Sequence, residues 1–105
     1  MEIRHFLSRN GRDALQEWLS GIDDVRARVA VLRRIDRLSR GNSGDCRFCK
    51  AGVWELRTDV GPGYRVYYAR ADSGSVLLLG GGSKRTQQAD IRTAVARLKD
   101  YRSRS

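Results

Sequence analysis

Apolar residues recur at helical spacing in three stretches of this chain and alternate with polar ones in several shorter runs. Between Gly11 and Ser20, Leu15, Trp18 and Leu19, continued by Ile22, mark one face of a short helix, with Asn10 placed to cap it and Gly21 to end it. A longer helix is expected from Asp23 and Asp24, whose charges suit the positive end of a helix dipole, to about Arg40. Its inward stripe reads Val25, Val29, Leu32, Ile35 and Leu38, and Gly41 stops it. The last helix runs from about Thr86 to Tyr101, with Ile91, Val95 and Leu98 inward and Ala94 allowing close approach.

Period-two alternation predicts strands at about Val53 to Thr58, Tyr64 to Arg70 and Ser75 to Leu79. The turns between them contain Gly61-Pro62-Gly63 and Asp72-Ser73-Gly74, short enough to make neighbouring strands antiparallel. Glu2 to Phe6 also alternates and reads as a short first strand, while Gly41 to Asp45 is the joint between the helical hairpin and the sheet. The expected fold is α+β over residues 1–105, a single domain with an antiparallel sheet of three to four strands.

Charge changes the picture next. Lys plus Arg number 21 against 12 Asp plus Glu, a net charge of +9, which favours a polyanion such as RNA, DNA or an acidic protein over a membrane surface. No apolar run approaches the ~20 residues that span a bilayer, and MEIRHF lacks the apolar stretch of a signal peptide, so a cytoplasmic protein is expected. Only Lys50, Lys84 and Lys99 are lysines; the remaining cations are arginines, which clamp phosphate well and make poor general bases. Cys46 and Cys49 are too few for a structural zinc site, and His5 lies far off in sequence, so no metal and no small-molecule cofactor are expected. The cysteines read as an incidental reduced pair in a loop or strand edge, or else as a redox-sensitive pair or an intersubunit metal site.

Side chains alternate across a strand, so Val53, Glu55 and Arg57 share one face and Trp54, Leu56 and Thr58 the other, taken as the core face. On the next strand Tyr64, Val66 and Tyr68 suit that core, which leaves Arg65, Tyr67 and Ala69 on the face of Arg57. Arg57 and Arg65 repel if paired directly, by a few tenths to ~1 kcal/mol, unless an anion or Glu55 offsets the charge. Glu55 reads as an ion-pair partner holding Arg57 or as a proton carrier, and Tyr67 as half-buried strand packing or a functional group. In GGGSKRTQQAD, Lys84 and Arg85 sit at a helix start whose free N–H groups attract anions. Its glycines either let backbone approach a ligand or merely permit a tight strand-to-helix crossover; the order is not that of a Walker loop. Arg26, Arg33, Arg37 and Arg40 form a stripe on the second helix, read either as a solvated face or as a second phosphate track. Trp18 and Trp54 read as core, and Asp90 as a charge in the first helical turn.

GVWELR, GPGYRVYY, LLLGGGSK and QQADI, in this order and spacing, resemble the RelE/ParE toxin superfamily, nearest its HigB-like, phage Gp49-like branch of addiction-module killer proteins. The resemblance covers nearly the whole chain. It implies paired N-terminal helices against a curved antiparallel sheet, closed by a C-terminal helix, and a toxin whose partner is a cognate antitoxin. In ribonuclease members, basic residues on the strand before GYR, in GYR itself and after the last strand carry the site; here these are Arg57, Arg65 and Arg85, with Lys84 adjacent. Such members cut messenger RNA, commonly on the ribosome and without a metal, through attack of a ribose 2′-hydroxyl on the neighbouring phosphate. Glu55 or Tyr67 would carry protons, since no histidine is close in sequence; Ala89, Asp90 and Ile91 stand where several relatives have a tyrosine or histidine, which leaves proton transfer without an obvious owner. The same scaffold also serves DNA gyrase poisons that act by protein binding, and a non-catalytic basic RNA-binding module is a third reading. The nuclease reading calls for three guanidinium groups meeting in one concave pocket.

Overall fold

A computed structural model describes residues 1–104. The elements follow as β1 (Glu2–His5), α1 (Ala14–Ser20), α2 (Val25–Ser39), β2 (Cys46–Lys50), β3 (Val53–Arg57), β4 (Arg65–Asp72), β5 (Ser75–Gly82) and α3 (Gln87–Ser103), with a 3-10 turn at Lys84–Thr86 leading into α3. The strands make one sheet in the order β1-β5-β4-β3-β2. Strands β2 to β5 are antiparallel neighbours, but β1 runs parallel to β5, with Glu2 opposite Ser75 and His5 opposite Leu78. The sheet is therefore mixed and five-stranded, not antiparallel with three to four strands.

The strand absent from the sequence reading is β2. CRFCK does not alternate, and its link to β3 is Ala51-Gly52, both at positive φ (52° and 87°), the geometry of the tight primed hairpin turns without the Asn-Gly that usually announces them. Cys46 packs into one core and Cys49 into the other, and both thiols are free.

Both faces of the sheet are covered. Leu15 and Leu19 of α1, Ile22, and Ala27, Val31 and Leu38 of α2 pack on Leu56, Val66, Tyr68, Val76 and Leu78. On the reverse face, Ile91, Ala94 and Leu98 of α3 pack with Phe6 on Val53, Tyr67, Ala69, Leu77 and Leu79. This explains the unbroken apolar run Val76 to Leu79, since a strand buried on both sides has no polar face to alternate with. It also means that the sheet has two core faces where the strand pattern indicated one.

Helix α1 starts three residues later than Gly11. Residues Leu7 and Asp13 bridge across a turn, so Asp13 becomes the cap, its carboxylate accepting the Gln16 amide at 3.0 Å and meeting His5 Nδ1 at 2.7 Å. Helix α2 begins as expected, with Asp24 accepting the Arg26 and Ala27 amides. Its inward stripe is not the expected one: Ala27, Val31, Arg34 and Leu38 are buried, Ile35 is half-buried, and Val25, Val29 and Leu32 face solvent. Arg34 sets this rotation, because its guanidinium donates to the carbonyls of Ser43 (2.9 Å), Asp45 (2.8 Å) and Arg57 (3.1 Å). Helices α1 and α2 both contribute to the core on this face of the sheet. Trp54 is likewise not core; it lies half-open beside Phe48 and Tyr68 near the sheet edge.

The glycines after Leu79 serve packing. A Cβ on Gly81 would enter the Trp18 ring, one on Gly80 would meet Arg97, and one on Gly82 would overlap Asp90 and Thr86. Gly80 also sits at a register shift with φ of 146°, a conformation that favours glycine. Gly81→Ala should therefore lower stability by about 1–3 kcal/mol through overpacking against Trp18. Urea unfolding reads this as a lower midpoint at constant slope; an unchanged midpoint would mean that Trp18 yields freely.

Candidate functional site

Strands β3 and β4 pair so that Glu55 faces Tyr67 and Arg57 faces Arg65, the direct cross-strand pair of like charges that alternation predicts. Helix α3 lies over this face, so Glu55 and Tyr67 are buried, at 0% and 1% exposure, and not open to solvent as the one-core reading placed them. Arg65 is 9% exposed.

The like charges are handled separately. Arg65 Nε lies 3.3 Å from Glu55 Oε2, and its Nη1 donates to the Gly63 carbonyl at 2.8 Å. Glu55 Oε2 also accepts from Gln87 Nε2 at 2.9 Å, and Arg47 Nε stands 3.5 Å from Oε1. Glu55 thus holds Arg65, whereas the sequence reading paired it with Arg57. Arg57 is held instead by Asp45, whose Oδ1 accepts from Nη2 at 2.9 Å and from Nε at 3.2 Å. Three atoms in this buried cluster close no hydrogen bond: Glu55 Oε1, Arg65 Nε and the Tyr67 hydroxyl. Burial, and then the neighbouring Glu55 carboxylate, push the Tyr67 phenol well above its ordinary value, so it stays protonated.

Lys84 and Arg85 arrive from the other direction. The Lys84 amide donates to the Pro62 carbonyl at 3.4 Å, and a Cβ on Gly63 would lie 3.4 Å from the Lys84 Cβ and 3.3 Å from Arg65 Nη1. The Gly61-Pro62-Gly63 turn therefore touches both the Arg65 guanidinium and the start of the 3-10 turn. Both Lys84 and Arg85 are exposed, and neither has an ion-pair partner among the described residues. Ser83 and Thr86 cap this start reciprocally, and Thr86 also hydrogen-bonds Asp90 in the first turn of α3.

Arg65, Lys84 and Arg85 thus share the turn end of the sheet, with Glu55 and Tyr67 beneath Arg65. Arg57 belongs elsewhere, so the three guanidinium groups do not meet in one concave pocket as expected: it lines a cavity of about 340 Å³ with Arg33, Arg37 and Asp45, a cavity that includes neither Arg65 nor Arg85. Sequence reasoning did not find Arg34, Asp45, Arg47 or Gln87. Arg34 stands at helical spacing from Val31 and Leu38, which marks it as an arginine on an apolar stripe; Asp45, Arg47 and Gln87 carry no such signal. Among the described residues, His, Cys, Asp and Glu side chains nowhere gather in threes as a metal site would need. Among the described residues, no helix is long and apolar enough to cross a membrane.

Residues 17–99, spanning α1 to α3, match the family described as "Phage derived protein Gp49-like". The chain belongs to this Gp49-like family. A protein of Haemophilus influenzae (strain ATCC 51907 / DSM 11121 / KW20 / Rd), named only "Uncharacterized protein", is 46% identical over 77 residues, covering 73% of this chain and 78% of the relative. The family match takes in all six predicted site residues and leaves β1 outside it.

Two substitutions separate the roles in the buried cluster. Glu55→Ala strands Arg65 and should cost about 3–5 kcal/mol. Tyr67→Phe removes a hydroxyl without a hydrogen bond and should change stability at pH 7 by less than about 1 kcal/mol. The Tyr67 phenol ionises more readily in the unfolded chain, so its contribution is fully present below pH ~10 and lost as pH rises further. Tyr67→Phe should consequently lose less stability than wild type above pH ~10 in denaturant titrations; parallel losses would show that the phenol is not buried.

Proposed function

We propose that this chain is the toxin of a type II toxin–antitoxin pair, a ribosome-dependent endoribonuclease that cuts messenger RNA without a metal and is silenced by a cognate antitoxin covering the basic end of the sheet. Membership of the Gp49-like family, which is associated with toxin–antitoxin pairs, supports the toxin role. The observation that carries the nuclease reading is the turn at Gly61-Pro62-Gly63, to which both Arg65 and Lys84 are hydrogen-bonded. It brings one anchored guanidinium and two unpartnered cations to one end of the sheet.

The chemistry follows from that charge. The 2′-oxygen attacks the adjacent phosphorus as its proton passes to water, the bond to the 5′-oxygen breaks and that oxygen takes a proton from water, leaving a 2′,3′-cyclic phosphate and a 5′-hydroxyl. Negative charge grows on the phosphoryl oxygens during the step, and cations fixed beforehand stabilise it with little reorganisation. Arg65 is the fixed donor, held from beneath by Glu55 and from the side by Gly63; Lys84 and Arg85 close on the phosphate from solvent. Glu55 and Tyr67 are buried under Arg65, so their task in this reading is to aim that guanidinium. Arg57 holds RNA next to the reacting phosphate from the neighbouring strand.

The deciding experiment follows transcripts in a reconstituted translation reaction. Wild type should cleave them, and Arg85→Ala, an exposed change that spares the fold, should slow cleavage by about 10²-fold or more. Arg65→Ala should abolish it, with thermal melting separating lost chemistry from lost stability. Intact transcripts with wild type, or gyrase trapped on broken DNA in their place, would overturn the nuclease reading.

A further inference from the structure

Besides the turn end, the molecule has a second concentration of cations around a concave surface. The 340 Å³ cavity between α2 and the end of β3 is lined by Arg33, Arg34, Arg37 and Arg57 against Asp45 and Asp59, four positive charges to two negative. Two of the arginines are already committed. Arg34 is buried and donates to three backbone carbonyls, and Arg57 is clamped by Asp45. Arg33 and Arg37 are not. They stand one turn apart on α2, exposed, their side chains with no ion-pair or hydrogen-bond partner among the described residues. A like-charged pair at this spacing weakens a helix, and an anion shared between them removes the penalty.

The other members of the same stripe behave differently. Arg40 pairs with Asp36, and Arg26 does not line the cavity. Of this helical stripe, only the two unpartnered arginines that border the concavity remain available to a ligand in it.

We propose that this cavity binds a backbone phosphate of single-stranded RNA, with Arg33 and Arg37 supplying charge and Arg57, fixed by Asp45, supplying a pre-aimed donor. This rests on RNA being the substrate. Arginine forks match phosphate oxygens in two-point hydrogen bonds, and the volume suits a nucleotide-sized group. Arg57 also faces Arg65 directly across the β3–β4 pair, so one strand of RNA held in the cavity continues to the turn end. The cavity is then an anchoring subsite beside the cleavage end, separate from it in residues and linked to it by this cross-strand pair.

The test uses the full chain and a fluorescently labelled ten-nucleotide oligouridylate, without ribosomes, by anisotropy across a range of salt concentrations. The Arg33→Gln/Arg37→Gln double variant should bind at least about 10-fold more weakly than wild type. Its plot of log affinity against log salt should be shallower by about 0.7, because one phosphate contact on a single strand is lost. Equal affinity and slope in the two proteins would overturn the proposal, as would wild type that does not bind the oligonucleotide. So would a double variant that keeps RNA but loses an acidic protein partner, which would make the cavity a protein site. Transcripts left intact by a wild type that still binds RNA through Arg33 and Arg37 would sink the nuclease reading and leave the subsite standing.

Discussion

The sheet is covered on both faces, and most of the structure follows from that constraint. A charge on an inner strand must either be neutralised under a helix or placed where the strand ends. Glu55 and Arg65 take the first course together, with Gln87 donating to one carboxylate oxygen from the first residue of α3. Arg57 takes the second, at the end of β3, where Asp45 can reach it from the loop after α2. Apolar burial on this scale is what makes a buried ion pair tolerable: the pair itself adds little net stability, but losing one member leaves a charge with nowhere to go.

Periodicity made most elements legible and misjudged which side of them was inside. Strands β3, β4 and β5, the capped start of α2 and the buried stripe of α3 all fall where spacing placed them. The alternation of Glu55 and Arg57 against Leu56 was also right, as was the opposition of Arg57 and Arg65. It did not reveal that α3 crosses the charged face, because a strand pattern records alternation without saying how many layers pack on it. For α2, two stripes compete at the same spacing. The larger Val25, Val29 and Leu32 lost to Ala27 and Val31 because Arg34 had three carbonyls to satisfy on that side. Such a tertiary hydrogen-bonding demand has no local signature. The same holds for β2, whose turn depends on Ala51 accepting a conformation that sequence rules reserve for asparagine or glycine.

The candidate site was legible as a set of residues and not as a shape. Its strand members share a face, and Lys84 and Arg85 join them through the Gly61-Pro62-Gly63 turn. The arginines divide between two neighbourhoods, one organised by Glu55 and one by Asp45, and what joins them is a pair of like charges across adjacent strands. Mutual repulsion is relieved at each by its own carboxylate. The glycines of β5 turned out to answer to Trp18, Arg97 and Asp90, so the close approach they permit is between parts of the protein itself.

The parallel pairing of β1 with β5 has a consequence for the order of assembly. Residues near the start of the chain find their sheet partners some seventy positions later, Glu2 at Ser75 and Ile3 at Val76. Closing so long a loop is entropically costly until the β3–β4–β5 meander already exists as a template. The β1 segment must therefore wait, unpaired, until β5 has formed, and the cover over Glu55 and Tyr67 comes later still, with α3. The buried cluster beneath Arg65 is consequently closed only after the strands that carry it have already paired.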